Sequence, residues 1–352
     1  MMRGWITRPV KFNVVICGLI STGFGLPPLK ILSYLLGGLL FGLVTGLATE
    51  VLLKRFEGRW LYKRRLFLLI GVESLLLLYL FIPIYLAYFS VHPFFRTFPT
   101  LPDDLKVEIV TLNTGDGIKL QGWYLPSENG AAIIALHGSG GNRASVLPHA
   151  RILAQNGYGV LMLDMRAHGE SEGNQAGSWN ADIDFDAAIN YLQTRPDVEP
   201  NRIGAIGLSD GAKSILYGGE PFTAVRAFVV DGVGVGTVND LLNPLTPHPL
   251  LAPLLIPEYW VAEYFIARFS DVEKGQSLRE TVQDIAPRPI LFIAGGDSNW
   301  EFELADKYAQ SAGETADVWL VPNTGHIGAV DTHPEEYEQR VVNFFDEALL
   351  SD

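Results

Sequence analysis

The sequence predicts an α/β fold: a mostly parallel central sheet flanked by helices, with a helical cap insertion, preceded by two or three transmembrane helices. Three observations predict it. Short apolar runs alternate with amphipathic segments over residues 105–352, the pattern of strands and helices in a parallel sheet. A stretch at about 234–286 separates two of those runs and is too long for a simple connection. The first ninety residues hold uncharged apolar segments long enough to cross a bilayer.

The chain is expected to divide into a transmembrane region at 1–90, a linker at 91–104 and an α/β domain at 105–352. Three segments compose the first: about 12–26, 31–53 and 66–90. Phe12–Leu26 is short, so it is a span, a re-entrant piece or a signal-like segment. Ile31–Thr49 carries no charge, and Leu66–Ser90 carries only Glu73, with Pro83 past its middle. Gly38, Gly42 and Gly46 fall four apart on one helix face, a spacing that lets a second helix approach closely. The loop between the second and third segments holds Lys54, Arg55, Arg59, Lys63, Arg64 and Arg65, which places it in the cytoplasm and the later domain on the extracytoplasmic side. The expected location is therefore the cell membrane, with the bilayer as a partner.

The linker carries Pro93, Phe94, Phe95, Phe98, Pro99 and Pro102. Val107–Thr111 and Ile118–Tyr124, joined through Thr114-Gly115-Asp116-Gly117, predict an antiparallel hairpin at one sheet edge. Ala131–Ala135 is a buried strand feeding the glycine-rich turn His137-Gly138-Ser139-Gly140-Gly141. An amphipathic segment, Ala144–Gln155, leads to the strand Val160–Leu163 and then to Asp164–Ser171. The helix Ala181–Thr194 precedes the strand Ile203–Ile206. Further strands are expected at Ala227–Val230, Pro289–Ala294 and Val318–Val321, and a last helix from Pro334 to Leu350. In the insertion, Leu241, Leu242, Leu250, Leu251, Leu254, Leu255, Tyr259, Trp260 and Phe265 are candidates to line an apolar pocket, to meet the bilayer, or simply to cover the core.

Chemistry concentrates at Gly207-Leu208-Ser209-Asp210-Gly211. Gly207 and Gly211 free the turn of Cβ atoms, so Ser209 projects at the start of a helix whose amides receive negative charge. The strand ends that follow carry Asp297 and His326, giving the chain order of nucleophile, acid and base. In this reading His326 takes the serine proton and Asp297 fixes its tautomer, with Asp231 as the alternative acid. The backbone amides of Ser139 and Asp210 are the candidate oxyanion donors. His137 and His168 read as structural, and His92, His149, His248 and His333 as surface residues.

At these residues the chain resembles the α/β-hydrolase family, in particular its esterase and lipase-like members, over about residues 104–350. The turn at His137–Gly141 is similar to the family's oxyanion loop. Asp164–Ser171 looks like its Asp-x-Arg-Gly-His-Gly-x-Ser turn, with Ala167 in place of a glycine, a departure expected to affect packing alone. The resemblance implies a serine hydrolase that cleaves carboxylic esters, lipid-derived ones given the anchor and apolar cap. A peptidase or amidase of the same fold is one alternative, and a non-catalytic lipid- or partner-binding protein is another.

No Cys/His cluster, calcium loop or phosphate loop is present, so no metal and no cofactor are expected. Residues 1–90 carry a net charge of +7 and residues 91–352 of −20, which argues against nucleic-acid binding by the α/β domain. Cys17 is the only cysteine, so an exported domain relies on its core rather than on an intrachain disulfide.

Overall fold

The computed structural model describes residues 71, 79, 82–92, 96–102, 104–173, 178–242 and 252–351, and one eight-stranded sheet runs through it. The strands are β1 (Glu108–Asn113), β2 (Lys119–Leu125), β3 (Ala132–Leu136), β4 (Gly159–Leu163), β5 (Ile203–Leu208), β6 (Val225–Asp231), β7 (Ile290–Gly295) and β8 (Ala316–Val321). Their spatial order is β1-β2-β4-β3-β5-β6-β7-β8. The β1–β2 hairpin is antiparallel, as its Asp-Gly turn predicts, and β2 pairs antiparallel with β4; every other pair is parallel.

The strands at the centre are apolar on both faces because helices cover both faces. Along β3, Ala132, Ile134 and Leu136 enter one core cluster while Ile133 and Ala135 enter the other. The same period of two divides β5, with Ile203 and Ala205 on one side and Ile206 and Leu208 on the other. Phe185, Phe228 and Phe292 are each at most 1% exposed, and burial of such a ring contributes roughly 1.5–3 kcal/mol.

The helices are α1 (Leu147–Gln155), α2 (Ala181–Gln193), α3 (Asp210–Gly219), α4 (Asn239–Leu242), α5 (Ala252–Ser270), α6 (Leu278–Ile285), α7 (Asn299–Ala312), α8 (Ala329–Thr332) and α9 (Pro334–Phe345). Three differ from the sequence reading. The last helix changes to a π turn at Asp346–Leu350. Helices α7 and α8 fall in stretches where the sequence reading placed no element. The insertion is helical as expected, formed by α4, α5 and α6. Leu241 joins the core and Leu242 is exposed, whereas Leu250 and Leu251 lie outside the described residues. On α5, Trp260 and Tyr264 are exposed one turn apart.

By its contacts the chain forms two compact units, Met1–Ile82 and Pro83–Asp352. The expected spans at 12–26 and 31–53, and the Gly38, Gly42, Gly46 stripe, lie outside the described residues, as does His248. Of the third, residues 71, 79 and 82–90 are helical. Among the described residues no helix is long and apolar enough to cross a membrane.

Two further expectations need correction. His149 is not a surface residue: it is 3% exposed on α1, against Tyr337, and neither ring nitrogen has a partner. Burial pushes its imidazole down to about 4, so it is neutral. Ala167 affects more than packing, because its backbone sits in the left-handed region at φ +59°.

Candidate active site

Ser209 occupies the bend between β5 and α3, with φ +54° and ψ −109°. A positive φ in a non-glycine residue is strained, and it persists only where the surroundings enforce it. Here they do. A Cβ on Gly207 would lie 2.3 Å from the Gly211 carbonyl oxygen, and one on Gly211 would lie 2.4 Å from the Leu136 carbonyl oxygen. Strand, turn and helix therefore pack at backbone distance, and only glycine fits at either flank. The Ser209 N–H donates to the Asp231 carbonyl at 2.8 Å, tying the bend to the end of β6.

The loop after β3 runs over the serine: a Cβ on Gly138 would lie 3.2 Å from the Ser209 Cβ. Two histidines hold this loop. His137 is fully buried; its Nε2 accepts from the Met165 N–H at 3.1 Å and its Nδ1 donates to the Gly138 carbonyl at 2.7 Å. Burial, then the neighbouring His168, pushes it down to about 3. His168 accepts from the Gly140 N–H at 3.3 Å through Nε2, donates to the Arg166 carbonyl at 2.9 Å through Nδ1, and is also held down by burial. Both rings are neutral struts, as expected of structural histidines. A third support comes from the chain before the domain. Thr97 donates to the Gly140 carbonyl at 3.3 Å, and the Asn142 side chain donates to the Thr97 carbonyl at 3.2 Å.

The Ser139 and Asp210 backbone N–H groups make no backbone hydrogen bond among the described residues. Asp210, adjacent to Ser209, pairs with Lys213 one turn along α3 at 2.5 Å. The Lys213 charge is the main cause of its lowered pKa, and the Ser139 hydroxyl contributes.

His326 follows β8. Its Nδ1 donates to Glu301 Oε2 at 2.6 Å, and the second carboxylate oxygen of Glu301 accepts from the Gly295 N–H at 2.8 Å. Glu301 is 6% exposed on the first turn of α7. Its hydrogen bond is the largest cause of the raised pKa of His326. With Nδ1 donating, Nε2 is the nitrogen left to take a proton. Asp297 does not meet His326: its side chain is exposed, and its backbone N–H binds the Thr324 carbonyl at 3.0 Å. Asp231 is 1% exposed at the end of β6, with one carboxylate oxygen unpartnered.

Glu301 is the site residue that sequence reasoning missed. A signal was present: Ser298-Asn299-Trp300-Glu301 is a Ser-x-x-Glu helix start, and Ser298 does cap α7, accepting from the Glu301 N–H at 3.4 Å. Reading it places an acid on a first turn beside the end of β7. Among the described residues no group of three or more His, Cys, Asp or Glu side chains is arranged to hold a metal. The cavity beside Asp210, lined also by Met165, His168 and Ser214, holds about 30 Å³, enough for one water.

Comparison with known proteins gives a consistent family. The alpha/beta hydrolase family profile matches residues 133–340. The Escherichia coli O157:H7 protein YfhR is 30% identical over 258 residues, covering 70% of this chain and 84% of that protein. Rv2307c of Mycobacterium tuberculosis is 27% identical over 237 residues, covering 66% and 75%. Among solved structures, the Pyrococcus furiosus esterase Pf2001 superposes with a TM-score of 0.55 at 22% identity, over 72% of this chain and 98% of that one.

Proposed function

The chain belongs to the alpha/beta hydrolase family, and on that premise we propose that it is a serine hydrolase that cleaves carboxylic esters through an acyl-enzyme on Ser209. The observation that carries this reading is the strained Ser209 bend set among the ends of strands whose loops also bring His326 and Glu301 together. A protein that only binds a partner has no need to combine a serine at positive φ with a carboxylate-paired histidine at the strand ends of one sheet.

The reaction assigns each group a role. Ser209 Oγ attacks the ester carbonyl carbon as its proton passes to His326 Nε2. Glu301, bonded to Nδ1–H, orients the ring and stabilises the imidazolium, the part the sequence reading gave to Asp297. Ser209 Oγ and His326 are not hydrogen-bonded here; such contacts commonly close when substrate binds. The Ser139 and Asp210 amides receive the oxyanion, each such donor worth about 2.7–4 kcal/mol in the transition state. The imidazolium then gives its proton to the departing alkoxide. Water, deprotonated by His326, releases the acid and restores Ser209.

The esterase among the structural neighbours supports the choice of ester. For location, we keep the reading of the sequence: apolar N-terminal segments anchor the protein in the cell membrane, with this domain extracytoplasmic. Support for a lipid-derived ester comes from that anchor and from the apolar insertion.

The test is labelling by a fluorophosphonate probe, followed by hydrolysis of p-nitrophenyl esters of increasing chain length. Wild type is expected to label, Ser209→Ala and His326→Ala to lose labelling, and Asp297→Asn to stay within about twofold of wild type. A folded wild type that neither labels nor hydrolyses any ester overturns the assignment.

A further inference from the structure

Lys213 stands in the first turn of α3, and its backbone N–H donates to the Ser209 carbonyl at 3.4 Å. A cation in that turn opposes the helix dipole, which favours negative charge there. Asp210, the first residue of the helix, is stabilised by the same dipole without any partner. The two nevertheless pair, Lys213 Nζ to Asp210 Oδ1 at 2.5 Å, with side chains 22% and 28% exposed. A pair at that spacing and exposure adds little to stability, so the helix does not explain it.

The place of the carboxylate does. Asp210 supplies one of the two amides that receive the oxyanion in the proposed reaction, and Ser139 supplies the other. The Ser139 hydroxyl is a hydrogen-bond partner of the Asp210 carboxylate, so one side chain joins the two residues whose amides must converge on one atom. An ionised carboxylate beside a forming oxyanion also repels it, in a domain whose net charge is already −20. We propose that Lys213 is a positioning residue of the active site: it fixes the Asp210 carboxylate on the Ser139 hydroxyl and cancels its charge where the oxyanion forms. The inference rests on the proposed serine mechanism and deepens it.

Other groups near Asp210 do not replace the lysine. His137 and His168 interact with the Asp210 charge, but burial holds both rings neutral. His326 gains positive charge only as the serine gives up its proton. The Lys213 ammonium is present throughout, and its charge is the largest cause of the lowered Asp210 pKa.

The experiment compares Lys213→Met, Lys213→Arg, Asp210→Ala and the double variant Asp210→Asn/Lys213→Met. The full chain is used in detergent, each variant is confirmed as folded by its melting curve, and rates come from p-nitrophenyl acetate. Lys213→Met is expected to lose roughly 10- to 100-fold in kcat with KM within about threefold, because the oxyanion exists only in the transition state. Lys213→Arg should stay within about threefold of wild type, and the double variant should recover most of the rate lost by Lys213→Met. A Lys213→Met variant with wild-type kcat, or a double variant as slow as Lys213→Met alone, overturns the proposal.

Hydrogen exchange over residues 138–142, read by mass spectrometry, needs no turnover. The Gly140 N–H is held there by His168 and the Gly141 N–H by the Gly138 carbonyl. Lys213→Met and Asp210→Ala should each speed exchange of this segment about threefold or more, and unchanged exchange overturns the hold on Ser139. A wild type inactive on every ester would refute the ester mechanism, while the exchange rates would still judge Lys213.

Discussion

At Ala167 a single methyl group stands where the backbone turns left-handed, in a side chain only 2% exposed. That conformation costs an L-residue roughly 1–2 kcal/mol that glycine does not pay. Ala167→Gly is expected to raise unfolding stability by about 0.5–1 kcal/mol, the relief of strain exceeding the lost contact and the greater freedom of the unfolded chain. Urea unfolding checks it: the midpoint should rise at constant slope, and a lower midpoint would mean that the methyl's packing outweighs its strain. The bend at Ser209 and the strand-end position of His326 were legible in the sequence because a short local pattern fixes each. Glu301 was not, because its partner is 25 residues away and its own helix went unread. His149 shows the same gap, since one histidine between Pro148 and Ala150 carries no local sign of its own burial.

Among the elements, the strands were the easiest to read. A run such as Ala132–Leu136, buried on both sides, needs no period to be recognised, and its ends shifted by only a residue or two. Helix α7 interleaves Glu301, Glu303, Asp306 and Lys307 with the buried Leu304, Ala305 and Tyr308, and those charges hid it. The segment before β1 was read only as a linker, yet it clasps the glycine-rich loop after β3. Arg96 donates to the Ser171 carbonyl at 2.7 Å while Thr97 holds Gly140 and Asn142. Thr97 is exposed, so its substitution should leave stability within about 0.5 kcal/mol. Thr97→Val is nevertheless expected to lower kcat roughly three- to tenfold with little change in KM, through a looser Ser139 amide. Thr97→Ser should restore the rate. A variant with wild-type kcat would show that the clasp does not position the loop.

For the whole molecule, pH acts through the buried imidazoles. His149 has its pKa held near 4, and His137 near 3, below the ordinary 6.5. A base depressed in the folded state favours folding above its unfolded pKa, and that contribution is lost as pH falls from 6.5 through the folded value. For His149 the loss amounts to up to about 3 kcal/mol. His149→Leu should therefore leave the melting temperature at pH 8 nearly unchanged and flatten its decline between pH 6.5 and 4. An equally steep decline would place the acid sensitivity elsewhere. The overall architecture was legible because strand alternation and the order of strand-end residues both survive in one dimension. The pairing of side chains across strand ends does not, since it depends on which loops the finished sheet brings together.

The clasp at Thr97 also decides where this protein can be cut. A gene truncated to begin at residue 105 retains Ser209, His326, Glu301, the whole sheet and every residue the family profile matches, so it looks complete by every usual criterion. It lacks Arg96, which holds the Ser171 carbonyl, and Thr97, which straps the glycine-rich loop after β3. A shortened version intended for crystallisation or inhibitor screening therefore has to start ahead of Arg96.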